Sequence, residues 1–173
     1  DIVEIWDTET RQWSYAQLIS PRFSISAVSY GNKVMFAGGV NIGLGTTYDI
    51  VDVYDTETGV WSTKNLSMAR SAMAAAVVGD LAFFAGGSDG QNVTDRVDIY
   101  NFTTNTWSTA ALTQARAFLA ATAVGTRVLF AGGTTAENES SDRVDIYDTE
   151  TGIWSTASLS QPRAFWDGNS GSV

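Results

Sequence analysis

Four arginines recur at a constant distance from a tryptophan, and they are the most regularly spaced ionisable side chains in this 173-residue chain. Arg22, Arg70, Arg116 and Arg163 each stand nine residues after their tryptophan. A guanidinium group donates several hydrogen bonds in a fixed fork and binds carboxylates well. The series therefore has two interpretations. In the functional one, the arginines bind a carboxylate of a partner. In the structural one, each arginine bonds loop carbonyls and a neighbouring carboxylate within the repeat. Strict repetition favours the structural interpretation, because a partner seldom demands symmetry.

A second group of candidate binding residues lies in three segments whose length differs between copies. From the second glycine of each Gly-Gly pair to the next Val-Asp, the step is twelve, ten or eleven residues, whereas the other intervals are constant. We expect these variable loops, 40–49, 88–95 and 134–142, to bind a partner. Loop length can differ between copies only where the pairing register of the strands does not depend on it. The candidates there are Tyr48, Asp89, Asn92, Glu137 and Asn138.

Composition removes most catalytic chemistry. The chain has no histidine and no cysteine, which excludes a histidine base, a thiolate nucleophile and Cys/His metal sites. Glu137 and Glu139 share one loop and could form a carboxylate pair, but nothing in the nearby sequence would raise the pKa of either. We predict no catalytic residue, no metal and no cofactor. A net charge of −9 argues against nucleic acid, and no apolar run reaches the ~18 residues of a membrane span.

The elements that position these residues follow from a repeated twelve-residue motif. "VDIYDTETGIWS" begins at Val144, and close copies begin at Val3, Val51 and Val97. Each full unit reads as four short strands: a run of small residues, a strand ending in Gly-Gly, an alternating "VDxY" strand and a strand with the tryptophan. Four antiparallel strands repeated every ~47 residues predict one β-propeller blade per unit. The tryptophans are expected between blades, where both sheet faces are covered.

This combination of Gly-Gly, "VDxYD" and a following tryptophan at constant spacing resembles the Kelch repeat. The resemblance covers about residues 1–165 and implies an all-β chain of four-stranded antiparallel Kelch blades in an incomplete ring. Three units are complete, and the last two strands of another precede them. The predicted bounds are 1–19 for that partial blade, 22–66, 70–112 and 116–159 for the full blades, and 163–173 for a degenerate next blade or tail.

Kelch propellers usually have five to seven blades, so the repeats in this sequence leave the ring open. Three explanations remain: further blades of a larger propeller, further copies of the chain, or a meeting of the two ends. In the last case Arg163–Trp166 would join the strands predicted at 2–6 and 12–16.

The resemblance implies a non-catalytic scaffold that binds a protein or peptide with its variable loops and axial arginines. A carbohydrate-binding or sugar-processing propeller is the alternative, although the variable loops offer only Tyr48 as an aromatic residue. A structural role in a coat or extracellular matrix is also open. The compartment is undecided, and N-x-S/T sequons at Asn65, Asn92, Asn101 and Asn138 are the one feature that points towards a secreted or cell-surface protein.

Other charged and turn residues have local interpretations. The acidic "DTET" turns, such as Asp55 with Glu57, are expected on the face opposite the variable loops as solvated turn chemistry. Asp98 lies two residues beyond Arg96 on one strand, and this spacing predicts local charge pairing. Arg11 stands where the other turns carry glycine or asparagine, which predicts a looser turn.

Overall fold

The computed structural model describes residues 1–164, and every helix or strand assigned in that range is a β-strand. The first two strands form a separate antiparallel hairpin, β1 (Ile2–Asp7) and β2 (Gln12–Gln17). Three four-stranded antiparallel sheets follow in chain order. No helix within residues 1–164 is long and apolar enough to cross a membrane.

Each four-stranded sheet takes its strands in chain order, as expected for a blade. The first blade contains β3 (Ser26–Tyr30), β4 (Lys33–Ala37), β7 (Ile50–Asp55) and β8 (Trp61–Asn65), with a short hairpin of β5 (Val40–Asn41) and β6 (Thr46–Thr47) in its variable loop. The second contains β9 (Ala74–Val78), β10 (Leu81–Ala85), β11 (Arg96–Asn101) and β12 (Thr106–Ala111). The third contains β13 (Ala120–Val124), β14 (Arg127–Ala131), β15 (Arg143–Asp148) and β16 (Ile153–Ser158).

The first strands of the three blades lie together, and β9 contacts both β3 and β13. Small residues such as Ala74, Ala75 and Ala76 occupy β9, because bulky side chains would collide where the inner strands converge. The apolar core lies between blades, in two clusters: one joins the first and second blades around Met35 and Phe84, and the other joins the second and third around Phe83 and Phe130. The predicted propeller blades are therefore confirmed, and the ring is not closed.

The tryptophans of the three complete blades, Trp61, Trp107 and Trp154, pack near the outer edge of each sheet and are partly exposed. In the second blade Trp107 lies opposite Tyr100 in the strand register, with ring centroids 4.9 Å apart, and 6.1 Å from the ring of Phe84. Trp61 and Trp154 repeat this arrangement with their own tyrosine and phenylalanine. Trp61 and Trp107 are thus mostly covered, as expected, although neither is fully buried.

The Gly-Gly pair ends the second strand of each blade where another backbone passes very close. Gly86 and Gly87 have φ of +65° and +100°, values that L side chains rarely adopt. A Cβ on Gly86 would clash with the carbonyl oxygen of Arg116, and one on Gly87 would lie 2.5 Å from that of Ser71. Glycine is required here by both conformation and space.

The turn between the third and fourth strands has the same geometry in all four copies. Its fifth residue donates a backbone hydrogen bond to the carbonyl of the first and adopts a left-handed conformation; these residues are Arg11, Gly59, Asn105 and Gly152. The prediction of a looser turn at Arg11 is wrong. Arg11 keeps the 2.9 Å bond to Asp7 and accepts a φ of +56°.

The two ends of the described chain show uncovered sheet surface. Among residues 1–164, β1 pairs only with β2, and Trp13 is 58% exposed. At the other end, most of β13 is exposed and Val124 lies in solvent. Of the predicted segment 163–173, only Arg163 and Ala164 are described; Trp166 lies outside the described residues, and the proposed meeting of the ends is therefore untested.

Candidate functional site

One face of the molecule carries the three variable loops and the connections between blades, and we call it the loop face. Strand direction requires this arrangement, because the second strand ends, and the next blade begins, at the same edge of the sheet. The base of each loop is bonded to the arginine that opens the next blade. Arg70 N–H donates to the carbonyl of Tyr48, and its own carbonyl accepts from Gly39 N–H. Arg116 bonds the 88–95 loop, and Arg163 the 134–142 loop, in the same way.

The arginine side chains point into their own blades and are not presented to solvent. Arg70 and Arg116 are 0% exposed, and Arg22 is also buried. Arg70 Nε donates to the carbonyl of Gly86 at 2.9 Å and Nη2 donates to that of Phe84 at 3.0 Å. Arg22 and Arg116 bond the equivalent glycine carbonyls of Gly38 and Gly132.

Each buried guanidinium is paired with the aspartate of its blade's "VD" dipeptide. Arg22 Nη2 lies 2.5 Å from Asp52 Oδ2, and Arg70 Nη2 lies 2.6 Å from Asp98 Oδ2. The second contact is an ion pair in which the two groups are not aligned for a hydrogen bond. Arg116 and Asp145 form the third pair. The aspartates are bonded further, since Asp98 Oδ1 accepts from Ser67 N–H at 3.1 Å and Asp145 Oδ1 accepts from Thr113.

Burial dominates the electrostatics of these arginines. Desolvation lowers the pKa of Arg70 and of Arg116, and the adjacent aspartates, Asp98 and Asp145, oppose that shift. A buried charge is tolerated only when it is paired and hydrogen-bonded. Each arginine thus links two blades: its backbone holds the loop of the preceding blade, and its side chain holds the strands of its own.

The contacts of three of the four arginines agree with the structural interpretation of the series. Arg22, Arg70 and Arg116 bond loop carbonyls and a carboxylate of the repeat, which is the structural interpretation. A partner's carboxylate could reach these three guanidinium groups only by breaking a buried ion pair. The predicted pairing of Asp98 with Arg96 is also not observed; the buried carboxylate takes the buried cation, Arg70, instead.

Arg163 differs from the rest of the series. Its backbone makes the repeated contacts with Gly133 and Ser141, but its side chain is exposed. Arg163 lies at the mouth of a cleft described below.

The predicted loop residues divide into turn-forming and exposed ones. The Asp89 carboxylate accepts hydrogen bonds from the N–H groups of Asn92 and Gln91 at 2.7 and 2.8 Å, and these bonds lower its pKa. Tyr48 is half-buried at the base of its loop. Asn92, Glu137 and Asn138 are exposed on the same face, and the last of them adopts a φ of +61°.

Adjacent variable loops touch each other, so the loop face is continuous across the first two blades. Thr47 Oγ1 donates a 3.0 Å hydrogen bond to the carbonyl of Asp89. Ile42 and Leu44 at the tip of the first loop are 70% and 71% exposed. Sequence reasoning missed these two residues, although apolar side chains in an otherwise polar loop were a usable signal.

A cleft of about 760 Å³ opens where the inner strands begin, and we call it the axial cleft. Its lining is mainly apolar and comes from equivalent positions of successive copies: Ser24, Ile25, Ala72, Met73, Phe118 and Leu119. The backbone links them in series, since Ala72 N–H donates to Ser24 and Phe118 N–H donates to Ala72. Phe118 is exposed, as is Phe23, which directly precedes the cleft residue Ser24 in the chain.

The acidic turns lie on the opposite face, which we call the turn face. Asp55 accepts hydrogen bonds from the N–H groups of Glu57 and Thr58 and is paired with Lys33. The Lys33 hydrogen bond is the main reason that the pKa of Asp55 falls to about 2. Asp7 and Asp148 cap their turns in the same manner. These carboxylates organise turns, as the sequence suggested.

Comparison with protein families agrees with the geometry. Residues 24–166 match the family model described as the KLHDC2/KLHL20/DRC7 Kelch-repeats domain. This chain belongs to the Kelch-repeat family. A search of curated proteins finds no match. Kelch-repeat domains are generally non-catalytic scaffolds, and they typically bind proteins.

Proposed function

We propose that this Kelch chain is a non-catalytic scaffold that holds a protein segment or peptide on its loop face. The observation that carries the proposal is the exposed apolar surface of that face: Ile42 and Leu44 at a loop tip, and Phe23 and Phe118 beside the axial cleft. Exposed apolar groups rimmed by polar loops are typical of protein interaction sites.

The partner segment fits the site if it inserts an apolar side chain into the axial cleft and places a carboxylate near Arg163. The cleft supplies the apolar anchor that usually dominates binding energy at an interface. Arg163 is the exposed member of the arginine series, and a charge-assisted bond to it would fix orientation. Asn92, Glu137 and Asn138 would then provide polar contacts at the rim.

Peptide selection on the immobilised chain, followed by hydrogen exchange with the selected peptide, tests this proposal. Protection is expected at segments 40–49, 88–95 and 134–142 and at the cleft residues. Leu44→Ser should weaken the complex, and Arg163→Met should weaken it and reduce its salt dependence. Glu57→Gln and Glu150→Gln on the turn face serve as controls and should leave affinity unchanged. Protection centred on the turn face would overturn the proposal.

Carbohydrate binding is the alternative from another class of function. It would require aromatic rings exposed in the variable loops, and Tyr48 is half-buried at a loop base. A glycan array probed in parallel with the peptides would favour this alternative if it gave saturable binding that Tyr48→Ala abolished.

We further infer that additional blades or a second copy cover the two uncovered sheet faces. The middle blade is covered on both sides, and Val97 and Ile99 on its third strand are buried, whereas the equivalent Val3 and Ile5 are half-buried. The mass of the chain in solution tests copy-to-copy completion. A dimer that Trp13→Ser dissociates supports it, and a strict monomer assigns the covering role to further blades.

A further inference from the structure

A second cleft lies between the first and second complete blades, towards the turn face. It has a volume of about 430 Å³ and is lined by Tyr30, Asn32, Lys33, Lys64, Phe102 and Asn105, together with other residues. Small-molecule sites commonly occupy clefts of about 300–1,000 Å³ with a few convergent polar groups. We call this site the inter-blade cleft, and it has no part in the proposed partner binding.

The repeats provide an internal control for this site, because each lining residue can be compared with its equivalents in other copies. Lys64 stands three residues after its tryptophan, where the other copies have alanine: Ala16, Ala110 and Ala157. Phe102 stands where the others have threonine: Thr8, Thr56 and Thr149. Tyr30 stands where the other two blades have Val78 and Val124. Three departures from the repeat, distant in sequence, thus meet in one cleft.

The departures create a cationic and aromatic surface. Lys64 Nζ lies 5.1 Å from the ring centroid of Tyr100 and donates a 2.9 Å hydrogen bond to Asn105 Oδ1. The Tyr100 hydroxyl donates to that same oxygen. The Phe102 ring stacks on Tyr30 with centroids 4.7 Å apart and an interplanar angle of 19°. Two donors therefore converge on one acceptor beside a pair of stacked rings.

The local charge favours an anion in an otherwise acidic protein. The chain has two lysines, and both line this cleft. Lys33 is neutralised by Asp55, whereas among residues 1–164 no carboxylate lies within 4.0 Å of Lys64. The adjacent turn, residues 101–105, reads "NFTTN" and is the only copy of the turn without an acidic residue. The turn beside Lys64 thus lacks both carboxylates of the repeat, whereas the corresponding carboxylates of the first blade lie on the far side of the cleft, where Asp55 pairs with Lys33 and Glu57 accepts a hydrogen bond from Asn32.

We propose that the inter-blade cleft binds a small aromatic carboxylate. The carboxylate takes the place of Asn105 Oδ1 as the acceptor for the Lys64 ammonium and the Tyr100 hydroxyl. The ring of the ligand packs against Phe102 and Tyr30. One unpaired ammonium group matches the single charge of a carboxylate, and a charged acceptor strengthens both hydrogen bonds.

Titration of the ¹⁵N-labelled chain with benzoate, and with neutral benzamide as the matched ligand, tests this site. Benzoate should shift the backbone resonances of residues 30–33, 64 and 100–105 saturably, and benzamide should bind about tenfold or more weakly. Lys64→Ala restores the residue found in the other copies, so it should fold normally. This variant should lose the preference for benzoate over benzamide.

Two further variants keep the test decisive. Phe102→Thr, which also restores the residue of the other copies, should weaken both ligands because it removes the ring that they share. Arg127→Ala removes an exposed cation, paired with Asp148, from the next blade and should change neither affinity. Equal binding of benzoate to Lys64→Ala and the parent chain would overturn the proposal. So would an absence of saturable benzoate shifts at these residues.

Discussion

Replacing Arg70 with methionine should be among the most destabilising single substitutions in this chain. The guanidinium is fully buried, donates to the carbonyls of Gly86 and Phe84, and lies 2.6 Å from Asp98 Oδ2. Methionine fills much of the volume but leaves the Asp98 carboxylate buried without its cation. Removing one partner of a buried pair costs about 3–5 kcal/mol. We expect the free energy of unfolding to fall by that amount.

A second substitution tests the cause. Asp98→Asn in the Arg70→Met background removes the uncompensated charge, while the amide oxygen can still accept from Ser67 N–H. The double variant should therefore regain about 1–2 kcal/mol relative to Arg70→Met alone. It should not recover fully, because the carbonyls of Gly86 and Phe84 still lack their donor.

Urea unfolding followed by tryptophan fluorescence measures these differences, with Arg127→Met as the matched control. The Arg127–Asp148 pair has the same charges, but the Arg127 side chain is 62% exposed. Its loss should cost at most ~1 kcal/mol, as for other surface pairs. If Arg70→Met cost no more than Arg127→Met, or if Asp98→Asn worsened it, the ion pair would not be the cause.

Three further substitutions test backbone and turn chemistry. Gly86→Val should cost more than ~2 kcal/mol, because its Cβ meets the carbonyl of Arg116; Ser88→Ala should stay within ~0.5 kcal/mol in the same urea titration. Arg11→Gly should stabilise by about 0.5 kcal/mol by removing left-handed strain, and a lower midpoint would contradict this. The interactions that lower the pKa of Asp55 to about 2 stabilise the fold above about pH 4, and this contribution is lost as the pH falls towards 2. Asp55→Asn should therefore flatten the pH dependence of the free energy of unfolding over that window.

The blades could be predicted from the sequence because their signals are local. A hairpin strand, its turn and its tryptophan recur within a few tens of residues, and the constant spacing fixes which strands pair. The role of Gly86 and Gly87 could also be predicted, since two glycines at the end of a strand indicate a close backbone approach. The residual exposure of Trp61 and Trp107 could not be predicted, because it depends on how far the neighbouring blade overlaps the outer strand.

The buried ion pairs could be predicted only in part. Arg70 and Asp98 are separated in the chain by the whole first half of a blade. Local spacing therefore favoured Arg96 as the ion-pair partner of Asp98. The usable signal was that the residue after the valine is acidic in all four copies of the motif: Glu4, Asp52, Asp98 and Asp145. A charge kept in every copy, on a strand that is otherwise apolar, calls for an equally constant buried partner.

The same reasoning separates structure from recognition in a repeat protein. A side chain present in every blade serves the contacts that every blade makes, and the buried arginines illustrate this. A partner does not share the symmetry of the repeat, so its contacts should concentrate where the copies differ. In this chain two such places are the variable loops with Ile42 and Leu44, and the inter-blade cleft with Lys64 and Phe102. Because these places lie towards opposite faces, the proposed partner and the proposed small ligand would not compete for one surface.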